Sequence, residues 1–133
     1  MSTLYKGLAH PWLCDVMGHL TTRHYMAMFD EASYQLLSES TGWQPGSYEW
    51  KDIGWADVRH EIEYKAELVV GTLVEISGGI EKTGNSSITA YYEMKNKATG
   101  EVAATMLAKT VLFDLNDRKA MALTDAIRSK LRE

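Results

Sequence analysis

The sequence predicts an α+β fold in which one long helix lies across one antiparallel sheet. Three observations carry this. One stretch, about Thr22 to Ser40, repeats its apolar residues at helical spacing. Later stretches of strand length follow one another, the first strictly alternating, with short glycine-containing turns between the last three. The chain of 133 residues, 45% hydrophobic and 24% charged, also has the size and balance of a single domain spanning 1–133 that can bury a core without staples.

Taken in order, residues 3–14 read as a short strand or extended arm ending at His10-Pro11-Trp12, followed by a polar turn from Asp15 to His19. In the helix, Tyr25, Phe29, Ala32 and Leu36 stand 4, 3 and 4 residues apart, with Met26, Ser33 and Leu37 widening the stripe. The hydroxyl of Thr21 or Thr22 is placed to accept from the orphan N–H groups of the first turn, and Gly42 supplies the C-terminal stop. Val58, His60, Ile62 and Tyr64 alternate with Arg59, Glu61 and Glu63 as a strand. Thr72 to Lys82, Ser87 to Lys95 and Glu101 to Asp114 follow as a meander, turning at Gly84-Asn85 and Thr99-Gly100. Thr124 caps a last short helix through Leu131. A fourteen-residue strand is long for a small domain. Its far end, or an edge strand, can pair with a second copy of the chain; the alternative is that it bends or bulges.

Charge and hydropathy exclude several classes of partner. The net charge is −4, and residues 1–57 hold three basic against seven acidic side chains, so no basic face for nucleic acid is present. The apolar run from Ala103 to Leu115 is interrupted by Thr105, Lys109, Thr110 and Asp114, which argues against a membrane span. The start MSTLYKGLAHPW has no signal-peptide pattern, and the single Cys14 suits a reducing cytoplasm. His10, His19, His24 and His60 show no metal-ligand spacing, so no metal is expected.

Asp15 is the first candidate for chemistry. It lies just ahead of the helix, where the peptide dipole and free N–H groups favour a carboxylate and can also hold an oxyanion. A carboxylate beside such donors is the minimum for acyl transfer. Spacing alone fits a simple turn or helix cap at least as well.

The run Cys14-Asp15-Val16-Met17-Gly18-His19-Leu20-Thr21-Thr22-Arg23-His24-Tyr25, continued by Phe29 to Ser33, resembles the signature of hotdog-fold acyl-CoA thioesterases of the 4-hydroxybenzoyl-CoA thioesterase type. Tyr64 to Thr72 resembles the family's Y-x-x-P-x-x-x-G-D strand, Lys82 to Ser87 its G-x-S hairpin and Thr99 to Ala103 its next turn. The likeness runs from about Leu4 to Leu131. Departures are Leu13 two positions before Asp15, Thr21-Thr22 for Asn-Asn, Glu67 for the usual Pro, and Asn85 where a basic residue is common. The resemblance implies a long central helix wrapped by a sheet of about five strands, and a homodimer or homotetramer. It implies thioester hydrolysis with no cofactor, coenzyme A being part of the acyl-CoA substrate. Asp15 would be the nucleophile or general base, the backbone N–H near Thr22 the carbonyl donor, and His19 the group that orients Asp15 or water. Gly18 would admit the substrate and Tyr25 would line the acyl pocket.

Coenzyme A phosphates call for basic or polar groups. Lys82, Asn85, Ser86 and Arg59 are the candidates, with Lys109 and the tail residues Arg128, Lys130 and Arg132 beside them. Trp43, Tyr48, Trp50 and Trp55 crowd one connection and form either an acyl-pocket lid, suited with Glu49 or Asp52 to a cationic group, or the anchors of a long loop. Cys14 reads as a small buried apolar group. Two other functions remain on the same fold. A hydratase would carry Asp-x-Asn-Pro-x-His, which is absent here, and a non-catalytic acyl-CoA or small-ligand module would not need Asp15.

Overall fold

A computed structural model describes residues 1–131. Strand β1 (Ser2–Leu8) leads through a 3-10 turn (Pro11–Leu13) to helix α1 (Thr22–Thr41). Strands β2 (Ile53–Tyr64), β3 (Leu73–Thr83), β4 (Ser87–Asn96) and β5 (Val102–Asp114) follow, then the short β6 (Lys119–Ala120) and helix α2 (Asp125–Leu131). The sheet runs β1-β3-β4-β5-β2, antiparallel throughout, with β6 against the end of β5. The expected meander is β3-β4-β5, and the chain returns β1 and β2 to its two edges.

The helix forms where the 4-3-4 stripe places it. Phe29 and Ala32 are wholly buried, and Tyr25, Met28 and Leu36 nearly so, in one cluster with Ile76, Tyr92, Met94 and Met106 of the sheet. The Phe29 and Tyr92 rings meet 6.4 Å apart. Burying a side chain of this size is worth about 1.5–3 kcal/mol, so this face, more than helix propensity, holds α1 in place. Gly42 ends the helix in the left-handed conformation (φ 75°), its N–H returning to the Ser38 carbonyl. No helix is long and apolar enough to cross a membrane among the described residues.

Several expectations need correction. The alternating strand starts at Ile53, five residues before Val58, because Ile53 to Asp57 pair with Asp114 to Thr110 ahead of a bulge near Val58. The arm divides into β1 and the 3-10 turn that Pro11 initiates. Thr21 occupies the N-cap of α1 but its hydroxyl makes no capping bond. Thr124 does cap α2, accepting from the Ile127 N–H at 3.2 Å. The far end of β5 has no free edge, since Asp114 pairs with both Ile53 and Lys119. The edge strands that remain are β1 and β2.

Three of the four aromatics anchor the connection within the chain, while Tyr48 is exposed. Trp50 is buried, and Trp43 and Trp55 pack with it on a second core cluster that includes Leu37, Leu112 and Ile127. Tyr34 stacks on Trp43 at 5.5 Å. This cluster gathers at the C-terminal part of α1, and a 20-residue helix is roughly 30 Å long. None of the four aromatics lines the cleft at the helix N-terminus.

Candidate active site

The turn before α1 is built around Asp15. Its backbone N–H donates to the His19 carbonyl (2.8 Å), and the Gly18 N–H returns to the Asp15 carbonyl (3.0 Å). Gly18 closes the turn at φ 80°, a conformation L side chains rarely adopt, and a Cβ there would meet no protein atom within 4 Å. The side chain joins in: Asp15 Oδ1 accepts from the N–H groups of Met17 (2.9 Å) and His19 (3.3 Å). One carboxylate oxygen is thereby fixed. No donor among the described residues meets Oδ2.

A second segment docks this turn. The Leu20 N–H donates to the Leu68 carbonyl (2.8 Å), the Val70 N–H to Gly18 (2.9 Å), and His19 bridges Val69. Residues 18–20 thus pair with 68–70, from the connection between β2 and β3. The result is a cleft of about 340 Å³ lined by Asp15, Met17, His19, Thr22, Tyr25, Tyr64, Lys65 and Glu67, among others. No side chain caps α1, and Thr22 of its first turn lines this cleft.

Tyr25 is 5% exposed, and its hydroxyl donates to the Ala66 carbonyl at 3.4 Å. Its ring meets Tyr64 edge-on at 5.2 Å. Burial pushes the phenol above the ordinary tyrosine range; the Leu68 backbone opposes this, and Tyr64, Glu67 and Asp15 reinforce it. Tyr25 is therefore a neutral donor at physiological pH. His19 Nε2 lies 3.2 Å from Glu67 Oε2. Glu67 stands where the resembled family usually has Pro, and nothing else in the sequence marks it. Cys14 is half-buried, its Sγ 3.8 Å from the Ala9 carbonyl, and it does not line the cleft.

Four candidate residues thus line one cleft, Asp15, His19, Thr22 and Tyr25, while Gly18 holds the adjoining turn through its bonds to Asp15 and Val70 without lining it. The coenzyme A candidates do not join them. Arg59 and Lys82 line a separate cavity of about 440 Å³ with Lys109, Thr83, Ser87, Thr89 and Glu61. Met106 and Ala108 face the core, so Leu107 and Lys109 of the same strand face away from α1. The cationic cavity and the Asp15 cleft therefore lie on opposite faces of the sheet, their lining residues on β2, Glu61 and Tyr64, about 10 Å apart along the strand.

Asn85 and Ser86 line neither space. Their carbonyls accept from Leu123 and Leu112, which makes this turn structural. Arg128 is spent on the Gly84 and Asn85 carbonyls (2.9 and 3.1 Å). Lys130 lies beside Trp50 and Ile53, and Arg132 is outside the described residues. No group of three His, Cys, Asp or Glu stands ready to hold a metal ion among the described residues.

Known proteins resemble this chain in sequence and share its fold. The long-chain acyl-CoA thioesterase FadM of Escherichia coli is 26% identical over 122 residues, covering 90% of this chain and 89% of its own. A probable thioesterase from Escherichia coli has the same fold, with a TM-score of 0.81 at 24% identity over 96% of this chain and 94% of that one. A Staphylococcus aureus protein solved in complex with CoA superposes with a TM-score of 0.88 at 13% identity, over 98% of this chain and 82% of that one. These two likenesses identify a curled antiparallel sheet with few helices, the hotdog fold of thioesterases. Residues 9–131 match the family model of the thioesterase-like superfamily, and the chain belongs to that family.

Proposed function

We propose that the protein hydrolyses acyl-CoA thioesters, with Asp15 as the catalytic carboxylate. The observation that carries this reading is the pairing of a half-fixed carboxylate with an uncapped helix N-terminus in one cleft. Asp15 Oδ2 is the reacting atom. It attacks the thioester carbonyl to give a mixed anhydride, or removes a proton from the attacking water. The N–H at Thr22 receives the negative charge that builds on the carbonyl oxygen, a type of contact whose removal costs roughly 3 kcal/mol. Tyr25 forms part of the acyl pocket wall. The match to a long-chain acyl-CoA thioesterase along nine-tenths of the chain supports the substrate class.

Coenzyme A carries its charge far from the thioester, and the cavity with Arg59, Lys82 and Lys109 is the cationic surface we assign to its phosphates. β2 is a twelve-residue edge strand with one row of unpaired main-chain groups. Pairing of two copies along this edge gives a homodimer, and stacking of dimers a homotetramer. The lone thiol of Cys14 suits the reducing cytoplasm as the working compartment.

The test is thiol release from aromatic, straight-chain and cationic acyl-CoAs, with sedimentation velocity run on the same sample. Turnover on one class establishes the hydrolase and its acyl preference together. Binding of CoA esters without turnover, equal for the wild type and Asp15→Ala, would replace it with a binding module.

A further inference from the structure

We propose that Glu67 is a positioning residue for His19, and that the pair delivers the proton to the departing thiolate. The inference rests on the thioesterase reading above and adds a second carboxylate with a different task. His19 and Glu67 are 48 residues apart in the chain, and the pairing of 18–20 with 68–70 brings them to 3.2 Å on the wall of the Asp15 cleft. The contact uses Nε2, which leaves Nδ1 as the ring nitrogen available to a substrate.

Such a group assists the departure of the thiol. A thiolate of the alkyl type leaves with a basicity near that of free cysteine, about pKa 8.5, so expulsion is assisted by a proton. Acting as nucleophile or base, Asp15 has no proton to give. Of the other groups lining the cleft, Tyr25 is held neutral by burial with its hydroxyl on Ala66, and Lys65 is drawn 3.4 Å from Glu63. Tyr64 is in edge contact with Tyr25. His19 lines the cleft with one ring nitrogen held by Glu67 and the other left for proton transfer.

The step balances without any further reactant. As the C–S bond breaks, the electron pair goes to sulfur and the imidazolium proton follows it from Nδ1. The water that completes hydrolysis forms the new C–O bond as the anhydride bond to Asp15 Oδ2 breaks, that electron pair returning to the carboxylate and the water's released proton going to the imidazole. Where Asp15 acts as the base, it takes that proton first and passes it on to the imidazole. The net change places OH on the acyl carbon and H on sulfur.

Glu67 is well suited to a test, because its side chain is 74% exposed and its replacement should leave folding unchanged. With an acyl-CoA that the wild type hydrolyses, Glu67→Ala should lower kcat roughly tenfold and His19→Ala about a hundredfold, with KM little changed. Glu67→Gln, which still accepts a hydrogen bond from Nε2, should recover most of the Ala loss. The double variant should be no slower than His19→Ala alone, since the two act as one unit. The same acyl group on thiophenol, a far more acidic leaving thiol, should be hydrolysed by Glu67→Ala and His19→Ala at close to the wild-type rate. Wild-type kcat in Glu67→Ala, additive losses in the double variant, or equal losses on the thiophenyl ester would each overturn the assignment. If the wild type releases no thiol from any ester, the thioesterase reading itself falls, and that outcome is distinct from an active wild type whose Glu67 variants are unimpaired.

Discussion

Replacing Asp15 by Asn and by Ala separates the two uses that the sequence allows it. In the folded chain Oδ1 accepts from two backbone N–H groups, at 2.9 and 3.3 Å, while Oδ2 is left for substrate. Asparagine presents an equivalent carbonyl oxygen to both N–H groups and lacks only the charge. Asp15→Asn should therefore stay within about 0.5 kcal/mol of wild-type stability. Alanine strands both donors and should cost about 1–2 kcal/mol, the usual range for losing such a local cap. For a domain of this size that is a fall in Tm of roughly 4–8 °C. Activity divides differently. Both variants lack a nucleophile or base, and each should lose on the order of 10²–10⁴ in kcat. Urea denaturation followed by tryptophan fluorescence gives the first quantity and thiol release the second. An Asn variant with wild-type turnover would refute a catalytic role and leave Asp15 as a turn former. An Asn variant as unstable as the Ala variant would refute the hydrogen-bond account of the turn.

Three further outcomes are expected. Phe29 is wholly buried against Tyr92, so Phe29→Ala should lose about 3–5 kcal/mol in urea unfolding, a large part of the stability of such a domain. Asp30 is held above the ordinary carboxylate range by partial burial and by Asp57, with His60 opposing. A carboxyl raised on folding binds its proton more tightly in the native state, so its contribution to stability falls as pH rises from about 3.9. Asp30→Asn should then melt slightly above the wild type at pH 7, by less than ~1 kcal/mol because the group is partly solvated, and the gain should vanish below about pH 4. Lys109 lines the cationic cavity, so Lys109→Glu should raise KM for an acyl-CoA about tenfold. The same acyl group on a short thiol without phosphates should show no change.

Much of this architecture is legible because it rests on local periodicity. The 4-3-4 spacing from Tyr25 to Leu36 needs only the 3.6-residue turn to put those residues on one buried face. The meander could be read because β3, β4 and β5 are joined by turns a few residues long. The start of β2 could not. Ile53-Gly54-Trp55-Ala56 lacks alternation and follows a loop, and what makes it a strand is its ladder with Val111 to Asp114 of β5. The Trp-rich connection illustrates the same limit. Its aromatics are functional or structural depending on which end of α1 they reach, and only tertiary packing places them at the end away from Asp15.

The candidate site divides along the same line. Asp15, Gly18, His19, Thr22 and Tyr25 lie within eleven residues, so a turn followed by a helix is enough to gather them. Glu67, Tyr64 and Lys65 enter only through the pairing of 18–20 with 68–70, whose register is set by backbone groups that carry no residue identity. The coenzyme A candidates fail or succeed for a similar reason. Lys82, Asn85 and Ser86 are neighbours in sequence, yet strand alternation and the turn at Gly84 send only Lys82 to the cavity that Arg59 and Lys109 share. A single-residue shift in the 18–70 pairing would leave every local motif intact while turning Glu67 away from His19. The proton-delivering pair is therefore a property of the fold's register, and a variant that slips this pairing should lose the Glu67 effect while Asp15 keeps its own.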